Sequence, residues 1–243
     1  MLGHLRAGSS GATNIPNPHP FLFEYNNKTY SFMHNGTLSK TILISLLTEN
    51  NTDSTWINNN PPNTFNGYDW FSESGWSNVI DSELFMLWIM KNIQLESGDE
   101  LENLIFSLQQ LEIAEPNADK NFILSNGEIV YAYASQVYGT PDLYYSDQTP
   151  IQYGDSTITP HFLSIMSEIP LDSSANKLNW LALSNEVLLV ADTHGNHSLV
   201  EDFINPTLKK SFNRLKKFQL SIKEFKNLKI IAKKLKIKFL STP

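Results

Sequence analysis

The chain has 243 residues, of which 41% are hydrophobic, and this is enough to bury the core of one large domain. It contains no cysteine, which excludes disulfides, thiolate metal sites and cysteine catalysis within these residues. The chain has no apolar run near the roughly 20 residues of a membrane span, and its first residues lack a secretory-signal pattern, which predicts a cytoplasmic protein without a membrane span. The net charge is −7.

Charge is divided unevenly along the chain. Twelve of the 18 Lys and Arg residues lie after Leu208, where Glu224 is the single acidic residue. Residues 1–208 therefore carry a net charge of −18, and residues 209–243 carry +11. Such a reversal is typical of an appended segment. Because nucleic-acid binding draws its affinity from neutralised phosphates, we expect it only through the basic tail.

The first predicted elements are a hairpin and a helix. Residues 21–25 and 29–33 are strand-like, flank an Asn-Asn pair, and lead into His34-Asn35-Gly36. Ser39 is a suitable cap for a helix that continues through Leu47. Residues 49–78 are rich in Asn, Ser, Pro and Trp without periodicity, which predicts a functional loop or a disordered insertion.

Two helices and several strands follow. One helix is predicted to begin near Asp81, and its nearly continuous apolar residues indicate that it is buried. The next has an apolar face and a capping box formed by Asp99 and Glu102. An Asn-Gly turn predicts a hairpin over residues 122–134. Further strands are predicted at 162–165, 178–183 and 187–191. This order of strands, helices and strands predicts an α+β fold.

The chain changes character after Pro206. Apolar residues at steps of three and four, from Leu208 to Leu235, predict a basic amphipathic helical tail over 206–243, distinct from a domain over 1–205. Three interpretations remain open for this tail. It packs on the body or on a partner, it binds a membrane surface or nucleic acid, or it results from a non-native reading frame.

Three short segments contain side chains suited to binding and catalysis. Arg6 precedes Ala7 and Gly8, where the backbone can approach a ligand and the guanidinium can bind a carboxylate through two hydrogen bonds. Asn35 and Gly36 place a side-chain amide beside a backbone N–H, a pair of donors suited to a developing oxyanion. Asp81 opens a helix with a carboxylate that can bind an ammonium group. Each segment alone is better explained as a salt bridge, a turn or a cap.

Together and in this order, with residues 17–21 (Asn-Pro-His-Pro-Phe) between the first two, these segments resemble the class II glutamine amidotransferases, and among them a small stand-alone bacterial group. Residues 121–127 and 167–171 and Trp180 extend the match, which covers roughly residues 2–200. The resemblance implies a four-layer αββα sandwich of the N-terminal-nucleophile hydrolase type and hydrolysis of glutamine, or a related small amide, with release of ammonia. No cofactor or metal is implied.

Roles for particular residues also follow from the resemblance. The family's nucleophile is an N-terminal cysteine whose own α-amine acts as the base. The implied oxyanion donors are the Asn35 side chain and the Gly36 N–H. Asp81 would bind the substrate α-ammonium and Arg6 its α-carboxylate, with Ala7 and Gly8 lining the same pocket. His34 is expected to be structural rather than a base.

Both ends of the chain depart from the family pattern. The opening strands and the cysteine have no counterpart, and Met1 stands where an internal residue is expected. We expect a truncated or frame-shifted reading rather than an evolved pseudo-enzyme, and no catalysis by the chain as given. Two function classes remain open. One is an amidotransferase-type hydrolase without its nucleophile, and the other is a non-catalytic relative that binds a glutamine-like ligand or a partner.

Overall fold

A two-stranded hairpin opens the part of the chain described by the computed structural model, which comprises residues 19–64, 75, 79–136, 143–146, 151–153, 155–158, 163–169 and 179–204. Strand β1 (Phe21–Tyr25) pairs antiparallel with β2 (Lys28–Gly36). The turn residues Asn26 and Asn27 have φ angles of 52° and 61°, in the left-handed region that asparagine tolerates better than most residues. The predicted hairpin is confirmed.

The main sheet has six strands in the order β1-β2-β3-β4-β10-β11, and every neighbouring pair is antiparallel. Its other strands are β3 (Lys120–Ser125), β4 (Ile129–Ala134), β10 (Val187–Asp192) and β11 (His197–Val200). The predicted Asn-Gly turn joins β3 to β4. Gly127 has a φ of 87°, and Asn126 Oδ1 accepts the N–H groups of Glu128 and Ile129 at 2.9 and 2.7 Å.

Helices cover one face of this sheet. They are α1 (Lys40–Leu47), α2 (Thr55–Asn59), α3 (Asp81–Leu95) and α4 (Glu100–Ala114). Ser39 caps α1 by accepting the Ile42 N–H at 3.4 Å. Asp99 and Glu102 form the predicted capping box of α4, with N–H to carboxylate distances of 2.9 and 3.0 Å. These local signals correctly predicted where both helices begin.

The main core lies between the helices and the sheet. Phe32, Phe122 and Tyr133 point from the sheet towards the helices, and each is at most 1% exposed. Helix α3 packs against α1, α4, β1 and β2. Because it has neighbours on all these sides, its residues 81–93 are all buried, as its nearly continuous apolar sequence predicts.

A second, smaller sheet covers the other face of the main sheet. Its strands run in the order β8-β5-β9, and a separate pair, β6 and β7, forms a hairpin; the bounds are β5 (Tyr144–Ser146), β6 (Ile151–Tyr153), β7 (Ser156–Ile158), β8 (Ile165–Met166) and β9 (Trp180–Ala182). Leu143, Tyr145 and Leu183 pack on Ala132 and Leu189 of the main sheet. The layers within the described residues are therefore helices, main sheet and second sheet, an α+β arrangement of antiparallel sheets.

The structure differs from the sequence prediction over residues 49–64. We predicted a loop or disordered insertion from residue 49 to residue 78, but α2 forms here, and Trp56 and Ile57 are buried in the main core. Glu83 of α3 fixes the end of this segment by accepting the Asn63 N–H at 2.6 Å and the Thr64 N–H at 2.9 Å. Burial of two apolar side chains and a buried carboxylate anchor explain why these residues are ordered. Among the described residues, no helix is long and apolar enough to cross a membrane.

Candidate active site

The candidate oxyanion donors stand at the end of β2. Asn35 is opposite Asn121, and Gly36 is opposite Lys120, the first residue of β3. Side chains alternate along a strand, so His34 and Asn35 point to opposite faces of the sheet. His34 is buried against the helices, whereas Asn35 is exposed. The exposed amide and the adjacent backbone of Gly36 are therefore presented together where the strand ends.

Close approach of the β3 side explains why residue 36 is glycine. A Cβ atom at this position would lie 2.0 Å from the Asp119 carbonyl oxygen, 2.7 Å from its carbon and 2.8 Å from His34 Nε2. Two of these contacts are with backbone atoms, which cannot rotate away. The glycine is thus required by space, and a side chain here would displace the Gly36 N–H from its present position.

His34 supports this strand end from below. Its Nδ1 lies 2.9 Å from Ser82 Oγ and its Nε2 lies 3.4 Å from the Asp119 carbonyl oxygen. A carbonyl only accepts, so Nε2–H donates to Asp119, and in the tautomer with its proton on Nε2 the ring accepts at Nδ1 from the Ser82 hydroxyl. The ring also meets Phe85 edge-on, with centroids 5.4 Å apart. These contacts connect β2 to α3, which agrees with the expected structural role of His34.

Asp81 lies beside the loop that leaves Gly36. It is 3% exposed, and its Oδ2 accepts the Leu38 N–H at 2.9 Å. Helix α3 begins at Asp81, but its N-cap residue is Ile80, without a side-chain cap. The Asp81 carboxylate therefore holds the loop that follows β2 instead of capping its own helix. Its negative charge also acts on Lys40, where burial lowers the pKa of the ammonium group and Asp81 opposes that shift.

Glu115, which the sequence reasoning missed, holds the next residue of the same loop. It follows α4, and its two oxygens accept the Ser39 N–H at 2.9 and 3.2 Å. Burial raises the pKa of the Glu115 carboxyl, and the negative charge of Asp81 raises it further, while the Ser39 N–H and Lys120 act in the opposite direction. No local pattern predicts this contact, because the two residues are 76 positions apart.

A buried ion pair lies behind Gly36. Lys120 is fully buried, and its Nζ donates to Glu112 Oε2 and to the Ala118 carbonyl, both at 2.9 Å. The other Glu112 oxygen accepts from the Tyr133 hydroxyl at 2.8 Å and from the Ser135 hydroxyl at 2.7 Å. Both charges are paired and hydrogen-bonded, the condition under which a buried ion pair is tolerated. The pair fixes β3 against the end of α4.

No protein-family model and no curated protein matches the chain. Solved structures that resemble it include a "predicted glutamine amidotransferase" from Pseudomonas aeruginosa, at 14% identity and a TM-score of 0.45, over 76% of this chain and 65% of that one. A glutamine aminotransferase class-II domain protein from Silicibacter pomeroyi is 18% identical with a TM-score of 0.43, over 77% of this chain and 72% of that one. The glutamine phosphoribosylpyrophosphate amidotransferase of B. subtilis is 17% identical with a TM-score of 0.45, over 82% of this chain and 34% of that one.

Glutamine amidotransferases are thus among its structural neighbours. The chain covers 65% of the Pseudomonas protein and 34% of the B. subtilis enzyme, so the activities of those whole proteins do not transfer directly to it.

The structure brings together three of the residues singled out from sequence and leaves the others untested. Asp81 accepts the Leu38 N–H two residues after Gly36, which places its carboxylate near the end of β2 where Asn35 and Gly36 lie. The predicted positions of Arg6, Ala7 and Gly8 are outside the described residues.

His194 and His197, at the β11 edge of the main sheet, do not form a metal centre in the described part of the chain. His194 lies in the turn between β10 and β11, and its N–H donates to Asp192 Oδ1 at 2.8 Å. His197 begins β11 and meets Tyr145 edge-on, with ring centroids 5.4 Å apart. Across the described ranges, no three His, Cys, Asp or Glu side chains are grouped as metal ligands.

Proposed function

We propose that this chain is a glutamine amidotransferase type-2 domain protein that binds glutamine, or a related small amide, at the end of β2. The observation that carries the proposal is the 2.9 Å hydrogen bond between Asp81 and Leu38. Leu38 follows Gly36 by two residues and is 43 residues from Asp81 in sequence, so the bond connects two of the segments that resemble the amidotransferases. The exposed Asn35 amide, the Gly36 backbone N–H and the buried Asp81 carboxylate then lie near the same end of β2.

Each residue has a defined role in this proposal. The Asn35 side-chain N–H and the Gly36 backbone N–H would donate to the amide carbonyl oxygen as negative charge develops on it. Asp81 would bind the α-ammonium of the ligand, and Arg6 its α-carboxylate through two hydrogen bonds. Ala7 and Gly8 would line the pocket between these charges. We further propose the four-layer αββα sandwich, which the described layers of helices, main sheet and second sheet support.

The chemistry needs a nucleophile that these 243 residues do not contain. In the proposed reaction a thiolate attacks the side-chain carbonyl, the carbon–nitrogen bond breaks, and ammonia leaves with a proton from the base. Water then cleaves the thioester to give glutamate and restore the thiol. Since the chain has no cysteine, it would supply ligand binding and the oxyanion donors but would not hydrolyse glutamine alone.

The absence of cysteine also favours a second candidate function. In this alternative the chain is a non-catalytic relative that keeps the recognition corner and uses it to bind a glutamine-like ligand or a partner. The two candidates predict the same ligand and the same binding residues. They differ in whether a supplied nucleophile produces turnover.

Calorimetric titration of the full chain with L-glutamine tests the proposal. We expect saturable binding, weaker binding of L-glutamate, and no release of ammonia above background. A glutamine-analogue electrophile should leave the mass of the protein unchanged, because no thiolate is present to capture it. Failure of the full chain to bind glutamine would reject the proposed ligand, and a stoichiometric covalent adduct would reveal a different nucleophile.

A further inference from the structure

The loop that follows the candidate oxyanion donors is held by two carboxylates from different helices. Residues 37–39 connect Gly36 to α1. Asp81, at the start of α3, accepts the Leu38 N–H, and Glu115, after the end of α4, accepts the Ser39 N–H. Ser39 in turn caps α1 through its hydroxyl oxygen. Consecutive backbone groups of a short loop are thus fixed from two sides.

The five-residue connection that begins with Glu115 also contacts β2 directly. Residues 115–119 link α4 to β3, and the Asp119 carbonyl, near the end of this connection, occupies the space against Gly36 and accepts from His34. The Lys120–Glu112 ion pair fixes both ends of the connection. Residues 115–119 therefore contact the chain on either side of the Gly36–Leu38 segment.

The negative charge of Glu115 has an unfavourable electrostatic environment. It lies at the C-terminal end of α4, where the helix dipole repels anions. Burial raises the pKa of its carboxyl, and the like charge of Asp81 acts in the same direction, while the Ser39 N–H and Lys120 oppose the shift. A glutamine side chain would accept the same Ser39 N–H without these penalties. What the ionised group adds is a stronger, charge-assisted hydrogen bond to the loop.

We propose that Glu115 is a positioning residue of the binding corner, which fixes the Asn35 and Gly36 donors by holding the Ser39 N–H. The proposal rests on the proposed function for the identity of the ligand, L-glutamine. Glu115 itself does not touch the ligand. It acts through the loop of residues 37–39, as Asp119 acts through direct contact with Gly36.

Two measurements on the full chain test this role with Glu115→Ala and Glu115→Gln. The first is amide hydrogen exchange at Gly36, Leu38 and Ser39, which needs no ligand. The second is calorimetric affinity for L-glutamine. We expect Glu115→Ala to accelerate exchange at these amides and to weaken glutamine binding about tenfold, the effect of losing one charge-assisted hydrogen bond. Glu115→Gln, which keeps an acceptor, should restore most of both.

The matched control is Glu100→Ala, at the opposite end of α4. Glu100 accepts from the Tyr30 hydroxyl at 2.7 Å and from Asn126 Nδ2 at 2.6 Å, so its loss should lower the melting temperature without changing exchange at Gly36 or glutamine affinity. A role for Glu115 in stability alone predicts that both alanine variants behave alike.

The outcomes are distinct for the two proposals. Unchanged exchange at residues 36–39 in Glu115→Ala, or faster exchange with wild-type glutamine affinity, would overturn the positioning role. If neither wild type nor variants bind glutamine while exchange at 36–39 rises in Glu115→Ala alone, Glu115 still positions the loop, and the proposed ligand is wrong.

Discussion

The two ends of α4 place similar carboxylates in opposite electrostatic settings. Glu100 lies in the first turn, where the helix dipole attracts an anion, and it accepts hydrogen bonds from Tyr30 and Asn126. Glu115 lies after the last turn, where the dipole repels it, and it holds the backbone next to the candidate site. About 22 Å of helix separates them, at ~1.5 Å per residue.

One helix thus has a carboxylate that stabilises the fold at its first turn and a carboxylate that contacts the candidate site after its last turn. At the Glu100 end, the helix dipole, the hydrogen bonds from Tyr30 and Asn126 and the neighbouring capping box all favour the folded state. At the Glu115 end, burial and the helix dipole oppose the charge of the carboxylate, and its hydrogen bonds go to the backbone beside the candidate site.

Supplying the nucleophile should have the largest effect. We expect a chimera that joins the opening strands of an intact stand-alone class II amidotransferase to Leu2, with cysteine as its processed first residue, to release ammonia from glutamine. In that chimera Asn35→Ala should lower kcat by ~10²–10³, the range for loss of one oxyanion donor, whereas Glu100→Ala should leave kcat per folded molecule unchanged. An active chimera with unaltered kcat in Asn35→Ala would contradict the oxyanion role.

Adding one methyl group at the site should be severe. In Gly36→Ala the new Cβ meets the Asp119 backbone at 2.0 Å, so we expect a loss of about 3 kcal/mol in the free energy of unfolding and no glutamine binding. Gly98→Ala is the control, because the new Cβ there meets side-chain atoms rather than backbone, Asn103 Oδ1 at 2.6 Å and Glu102 Oε2 at 2.9 Å. Urea unfolding compares the two. Equal losses would mean that the wall formed by Asp119 can yield.

Contacts with the charged groups of the ligand should change capture more than turnover. In the active chimera we expect Asp81→Ala and Arg6→Lys each to raise KM about tenfold, because these ionic contacts exist in both the ground state and the transition state. Asp81→Ala should also lower kcat moderately, since it releases the Leu38 N–H. Steady-state kinetics separates these effects. A change in kcat alone for Arg6→Lys would rule out the proposed carboxylate contact.

The charge of Glu115 should produce a small pH-dependent change in stability. Burial raises its pKa above the usual value of 4.5, so the folded state holds the proton more tightly than the unfolded chain does. Ionised Glu115 therefore weakens folding at neutral pH, and the penalty disappears as the pH falls through the raised pKa towards 4.5. We expect Glu115→Gln to raise Tm slightly at pH 7 but not at pH 4. A lower Tm at pH 7 would contradict this sign.

Removal of the tail should have no effect on the site. We expect deletion of residues 207–243 to abolish any salt-sensitive binding to nucleic acid or anionic vesicles while glutamine affinity stays the same. Binding measured at low and high salt checks the first part, and calorimetry the second. If the full chain shows no such binding at low salt, the electrostatic interpretation fails, and packing or a non-native reading frame remains.

Local patterns predicted the parts of the fold that local interactions determine. The Asn-Gly turn, the Ser39 cap and the Asp99–Glu102 box each satisfy backbone groups a few residues away, so the sequence alone reveals them. Strands β5, β6, β7 and β11, of three or four residues each, were missed because none of them contains an apolar run or an alternating pattern long enough to indicate a strand. Helix α2 was missed because long-range burial of Trp56 and Ile57 stabilises it rather than intrinsic propensity.

The candidate site shows the same limit. Asn35, Gly36 and Asp81 were identifiable because their residue types and order resemble a family. The reason for Gly36 was not, since it depends on the Asp119 carbonyl across the sheet. Glu115 was not identifiable either, because its partner is a backbone N–H, which every residue except proline has and which therefore leaves no trace in the sequence.

The short connection between α4 and β3 also determines where this protein tolerates changes in length. Residues 115–119 span the distance between the end of α4 and the start of β3, and the Lys120–Glu112 ion pair holds these two ends together. One inserted residue would move either Glu115 away from Ser39 or Asp119 away from Gly36. The exposed Asn26-Asn27 turn has no such double attachment, so tags or fused segments belong there, and 115–119 is the part of the chain whose length must be kept.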